Sequence, residues 1–170
     1  MRDAEEDEAG READGFDDGR EESPNERADR NWNEILQELR VAQTGTQILG
    51  AFLLAVAFQP RFTELDRYQL TLYLILVALA GIAAALGLAP VSLHRAHFGR
   101  RQKVRIVRIG SRLLAADLVV LALLAAGVTS LIFDFTLGRA AGFAALGGGA
   151  IVVVVLWAIV PRLGIRSRPR

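Results

Sequence analysis

Long stretches without a charged residue alternate along this chain with short, strongly charged connections. Val41–Pro60 runs for 20 residues without a charge, Tyr68–Leu93 for 26, and Ala140–Pro161 for 22. Leu113–Phe133 is a block of 21 residues interrupted only by Asp117. A helix needs about 20 apolar residues to cross a hydrocarbon layer of ~30 Å, so each block predicts one membrane span. The spans are expected at about 41–60, 68–93, 109–133 and 140–161. Asp117 does not prevent insertion of the third. Twelve Leu, Val, Ile or Phe in Leu113–Phe133 contribute roughly −4 to −7 kcal/mol against at most about +3.5 kcal/mol for a central Asp.

Just before the first block, NWNEILQELR changes the period. Trp32, Ile35, Leu36 and Leu39 recur at i, i+3, i+4 and i+7, which gathers them on one helical face. An amphipathic lead-in helix over 31–40 is expected, capped by Asn31 and lying at the membrane–water boundary. It should continue into the first span without a break. The connections RFTELDR and DFTLGR are short, so neighbouring spans must be antiparallel, and Thr63 with Asp66 is spaced as a capping box for the second span. The fold class is therefore all-α: a polytopic transmembrane four-helix bundle preceded by an amphipathic interfacial helix.

Charge adds the orientation. The net charge of +1 conceals −8 over residues 1–30 and +9 over the remainder. Residues 1–30, almost without large apolar side chains, are expected to be a disordered acidic tail. The membrane domain then covers 31–161 and a basic tail 162–170. Lys and Arg near span ends collect on the inside. One side holds Arg27, Arg30 and Arg40, then Arg95, Arg100, Arg101, Lys103, Arg105 and Arg108, and four Arg in the final nine residues. The other side holds Arg61, Arg67 and Arg139. Both termini and the middle connection are expected in the cytoplasm, and the chain in the cytoplasmic (inner) membrane of a bacterium. A single Lys against 19 Arg, with abundant Ala and Gly, fits a GC-rich bacterial genome.

Little in the chain suggests covalent chemistry. There is no Cys, hence no thiolate nucleophile and no thiolate metal site. Beyond the first short connection the acids are Asp117 and Asp134, too far apart on a helix to work as a pair. Gly147–Gly149 lacks the following Lys-Ser/Thr of a phosphate loop, and His94 with His97 lacks a third ligand. No enzymatic activity, no cofactor, no metal and no nucleic-acid partner are expected. What remains is a polar group inside the spans. Gln43, Thr44 and Gln47 near the start of span one should lie at the depth of Asp117, and intramembrane acids often mark an ion or proton path. The opposing reading leaves Asp117 bonded to its neighbours or to Arg112. Arg95, Arg100, Arg101, Lys103, Arg105 and Arg108 form a candidate contact for anionic lipid head groups. The small residues Ala141, Ala145 and Gly149 suit close helix–helix contact, and a homo-oligomer is expected because four thin helices hardly enclose a conduit.

The string NWNEILQELRVAQTGTQILGAFLLAVAFQPRF, with HR following Pro90 and the basic middle connection, resembles the DUF6328 family of small actinobacterial membrane proteins. The matching positions are Glu34, Glu38, Arg40, Gln43, Thr44, Gly45, Gln47, Phe52, Gln59, Pro60 and Arg61. The resemblance covers about 31–161 and implies no established activity; a sodium:proton antiporter label on some members is implied by similarity alone. Two functions stay open at this point. One is a non-enzymatic membrane scaffold or interaction module. The other is a proton or cation transporter or channel using Asp117 with Gln43 and Gln47.

Overall fold

The computed structural model describes residues 23–97, 103–159 and 162. Its elements are α1 (Pro24–Val56), a 3-10 turn (Pro60–Glu64), α2 (Arg67–His97), α3 (Lys103–Leu137), α4 (Arg139–Val154) and a closing π turn (Val155–Ile159). Four helices are long and apolar enough to cross a membrane, over Asp29–Val56, Arg67–Ser92, Ile106–Leu137 and Arg139–Ile159. The four expected spans are therefore present, and the chain is a multi-pass membrane protein.

Helix ends differ from the sequence reading, for local reasons. α1 begins at Pro24, because Ser23 caps it. The Ser23 hydroxyl accepts from the Glu26 amide at 3.3 Å and the Glu26 carboxylate accepts from the Ser23 amide at 2.9 Å. Pro24 occupies the first helical position, where its missing N–H costs nothing. Asn31 thus lies inside the helix, and the expected acidic tail ends a turn or more before residue 30; residues 1–22 lie outside the described ones. α1 does continue into the first span without a break. Its apolar stripe, however, is covered by protein: Ile35 and Leu39 pack with Leu114, Val107 and Leu118 of α3, and the Trp32 ring lies where a Cβ on Gly110 would stand. That stripe is one side of a helix pair, which the interfacial lead-in reading did not anticipate.

The cap of α2 is also shifted. Asp66 accepts from the Gln69 amide at 2.9 Å while Gln69 Oε1 accepts from the Asp66 amide at 3.0 Å. Asp66 and Gln69 make the box; Thr63 instead bonds the Pro60 carbonyl within the 3-10 turn. The middle connection contracts as well, since α2 runs to His97 and α3 starts at Lys103. Between α3 and α4 a single residue suffices. Gly138, at φ 97° and ψ 173°, adopts a backbone conformation essentially restricted to glycine. Asp134 consequently sits within α3 and not in a connection.

Three helices form the packed unit and one leans on it. α1, α2 and α3 each pack on the other two, whereas α4 packs mainly along α3. The expected four-helix bundle is thus three plus one. Close approach explains the asymmetry: on the α3–α4 seam Gly142 meets Asp134 and Gly149 meets Ala126, so part of the small-residue stripe of α4 is spent inside the chain. Fixed contacts give the register. Trp32–Gly110 and Gly45–Leu121 show α1 and α3 parallel, and Leu76–Gly127 with the Gln69–Asp134 bond shows α2 and α3 antiparallel. One end of the unit carries the two short turns, here the turn end. The opposite end carries Pro24, His97 and Lys103, here the basic end.

Candidate functional site

The interior is divided into two apolar clusters. Leu53, Tyr73, Leu76, Leu124, Val128 and Leu131 fill the turn half. Ile35, Leu39 and Leu114 fill the basic half between α1 and α3. Between them the sequence places Ala42, Gln43 and Thr46 on α1, Gly87 and Pro90 on α2 and Asp117 on α3. The α2–α3 offset puts Asp117 level with Leu86, and the α1–α3 offset puts it level with residues 39–41.

Pro90 is fully buried inside α2. It has no amide hydrogen to give the Leu86 carbonyl, and its ring pushes that carbonyl aside. Gln43 serves the loosened turn: its side-chain amide donates to the Gly87 carbonyl at 3.1 Å. Glycine eases the approach, because a Cβ on residue 87 would lie 3.0 Å from Gln43 Nε2 and push the side chain back. Beside this break, Asp117 is 1% exposed, and neither of its carboxyl oxygens has a hydrogen-bond partner. Thr46 is buried too, and its hydroxyl likewise has no partner. Unpartnered buried polar groups are rare and costly. Asp117 and Thr46 both carry this cost, one on the packed face of α3 and the other on that of α1.

The predicted residues therefore separate. Asp117 and Gln43 fall in this layer. Gln47 and Thr44 do not: both are exposed, and the Thr44 hydroxyl folds back onto the Arg40 carbonyl at 3.0 Å. The buried stripe of α1 runs Leu39, Ala42, Thr46, Leu53, so a residue directly after Thr46 must point about 100° away from it. Arg112 is exposed, and no bond from it reaches Asp117. Of the predicted head-group contacts, Arg108 is exposed on α3. Arg95, Lys103 and Arg105 lie on helices with side chains outside the described set, as do Arg100 and Arg101 altogether. Among the described residues no group of three His, Cys, Asp or Glu gathers as a metal site.

A second polar cluster, absent from the sequence reading, closes the turn end. Asp134 is 4% exposed. One of its oxygens accepts from Gln69 Nε2 at 2.6 Å and the other from Arg139 Nη1 at 2.9 Å. The same guanidinium pairs with Asp66 and lies 3.8 Å above the Tyr68 ring. Ser130 adds a bond to the Gly142 carbonyl at 2.8 Å. The Gln69 amide and the Asp66 cap hold the Asp66 carboxyl below its ordinary range, with Arg139 contributing next in favour of the charged form. Every charge here has a partner. Nothing in local spacing reveals it, since Gln69 and Asp134 are 65 positions apart.

No curated protein and no solved structure matches this chain. A family model does, over residues 21–161, which takes in all four spans together with both polar clusters. The chain belongs to DUF6328, a family of unknown function.

Proposed function

We propose that this protein is a non-enzymatic integral membrane protein that takes up a proton or a small cation at Asp117 and passes it across the bilayer. The single observation behind the reading is the Asp117 carboxyl, buried with both oxygens unbonded. Burying a carboxylate without a counter-charge costs several kcal/mol, a cost removed when a proton or cation binds there. At the same level of α2, Pro90 leaves the Leu86 carbonyl without an amide donor, and Gln43 holds the adjoining Gly87 carbonyl. Asp117 lies five residues from Arg112, about 7 Å along the axis, so entry from the basic end is short. The charge asymmetry supports that end facing the cytoplasm of a bacterial cell, with both termini inside.

The test is ion or proton flux into liposomes containing the full chain, comparing wild type with Asp117→Asn. Flux above empty vesicles that falls at least ~tenfold in the variant supports the reading. Equal flux in the two, or none above the empty-vesicle level, overturns it.

A second reading rests on α4, of whose span only 6% is buried. A helix that packs along one neighbour and leaves the rest of its surface uncovered suits a membrane scaffold that works as a homo-oligomer, with Gly147 and Gly148, which nothing among the described residues approaches within 4 Å, at the contact. Sizing in nanodiscs separates the two: loss of an oligomer in Gly148→Leu with flux retained favours independent protomers as the conducting unit.

A further inference from the structure

At the turn end, α1 and α3 diverge and leave a cleft of about 460 Å³ between the last turn of α1, the 3-10 turn and the end of α3. Its walls are apolar. Leu53, Val56 and Leu131 form the depth, and Phe52 and Ile132, each 41% exposed, form the sides that face the lipid. At one edge the lining changes character. Arg61 lies 4.5 Å above the Phe135 ring and is paired with Glu64 at 3.0 Å, both side chains being more than half exposed. The cleft therefore has a greasy body within the hydrocarbon and an edge bearing Arg61, with Glu64 held beside that edge by its pair with Arg61.

Pockets of this volume with few placed polar groups hold small ligands. At this depth the surrounding solvent is acyl chain, so the ligand that fits is an amphiphile. The rim selects its head. An exposed Arg–Glu pair is worth little to the protein by itself, so its two members are free to exchange partners. A phosphate takes the planar guanidinium through two charge-assisted hydrogen bonds, and the released carboxylate then accepts from an ammonium. We propose that this cleft is a lipid site for a zwitterionic aminophospholipid, with an acyl chain between α1 and α3, the phosphate on Arg61 and the primary ammonium on Glu64. The site is independent of Asp117, being lined by none of the residues of that layer.

The experiment is native mass spectrometry of the full chain after exchange into micelles holding equal amounts of phosphatidylethanolamine, phosphatidylcholine and phosphatidylglycerol. One phosphatidylethanolamine per chain is expected in preference to the other two, because a quaternary ammonium has no hydrogen to give Glu64 and glycerol has no positive charge. Arg61→Gln should lower retention about tenfold, one charge-assisted bond or its equivalent. Glu64→Gln should move the preference toward phosphatidylglycerol, and Ile132→Trp should empty the cleft. Retention indifferent to head group overturns the proposal. So does wild-type retention in Arg61→Gln, or cross-linking of Ile132→Cys to a second copy in place of bound lipid.

Discussion

Asp117 and Asp134 lie on one helix, 17 positions or about 25 Å apart, and both are almost wholly buried. They are handled in opposite ways. Asp134 has an amide on one oxygen and a guanidinium on the other, with a second carboxylate beyond to share that cation. Asp117 has nothing on either oxygen. Equal burial with unequal satisfaction sets the two acids apart. The saturated acid ties α2, α3 and α4 together, while the bare one weakens the fold unless an ion joins it.

Removing each acid in turn tests that contrast most directly. Asp134→Ala should cost about 2–3 kcal/mol, since it strands Gln69 and leaves Arg139 with one carboxylate. Thermal unfolding of the detergent-solubilised chain reads this as a lower midpoint. A loss below ~0.5 kcal/mol would mean the cluster is decorative. Next in size, Gly142→Ala attacks the cluster without altering a charge. Its Cβ would stand 2.7 Å from Asp134 Cβ and 3.1 Å from the Asp134 backbone, so helix α4 must shift, at about 1–2 kcal/mol by the same assay. Gly148→Ala on the same helix meets nothing within 4 Å and should be neutral or gain up to ~1 kcal/mol.

Asp117→Asn should leave the unfolding midpoint unchanged or raise stability by about 1 kcal/mol, because it removes an uncompensated charge. A fall as large as that of Asp134→Ala would erase the distinction between the two acids. The smallest effect concerns pH. The Asp66 carboxyl is held below its ordinary range by the Gln69 amide and then by Arg139. A group lowered in this way stabilises the folded state above its unfolded pKa and loses that contribution as pH falls through the folded one. Acidification below the usual carboxylate range should therefore lower the unfolding midpoint slightly, and less in Asp66→Asn than in wild type.

The spans were legible because lipid imposes a length that few other environments demand, and the charge-free blocks show it plainly. Asp117 was legible for the same reason, as an acid inside a block. The start of α1 is also written in the sequence, since Ser23-Pro24-Asn25-Glu26 is a capping box with Pro at the first helical position, but the charge density around it obscures the signal. Four polar residues in five positions of α1 cannot share a face, and only the α1–α3 packing decides that Thr46 turns inward while Thr44 and Gln47 stay exposed. The Gln69–Asp134–Arg139 cluster could not be read locally, since its members meet through tertiary register. The three-plus-one packing likewise depends on which glycines meet which helix.

Continuity of α1 has a mechanical result. Its 33 residues make a rod of about 50 Å, against a hydrocarbon thickness of ~30 Å. With ~30 Å of that length in hydrocarbon, about 20 Å at the Pro24 end stands clear of it. The first turns of α3 brace the upper part through Trp32 and Gly110. The Pro24 end of α1 is therefore a stiff post, at a set height and heading above the bilayer. Adding or deleting one residue below Trp32 would swing that heading by about 100°.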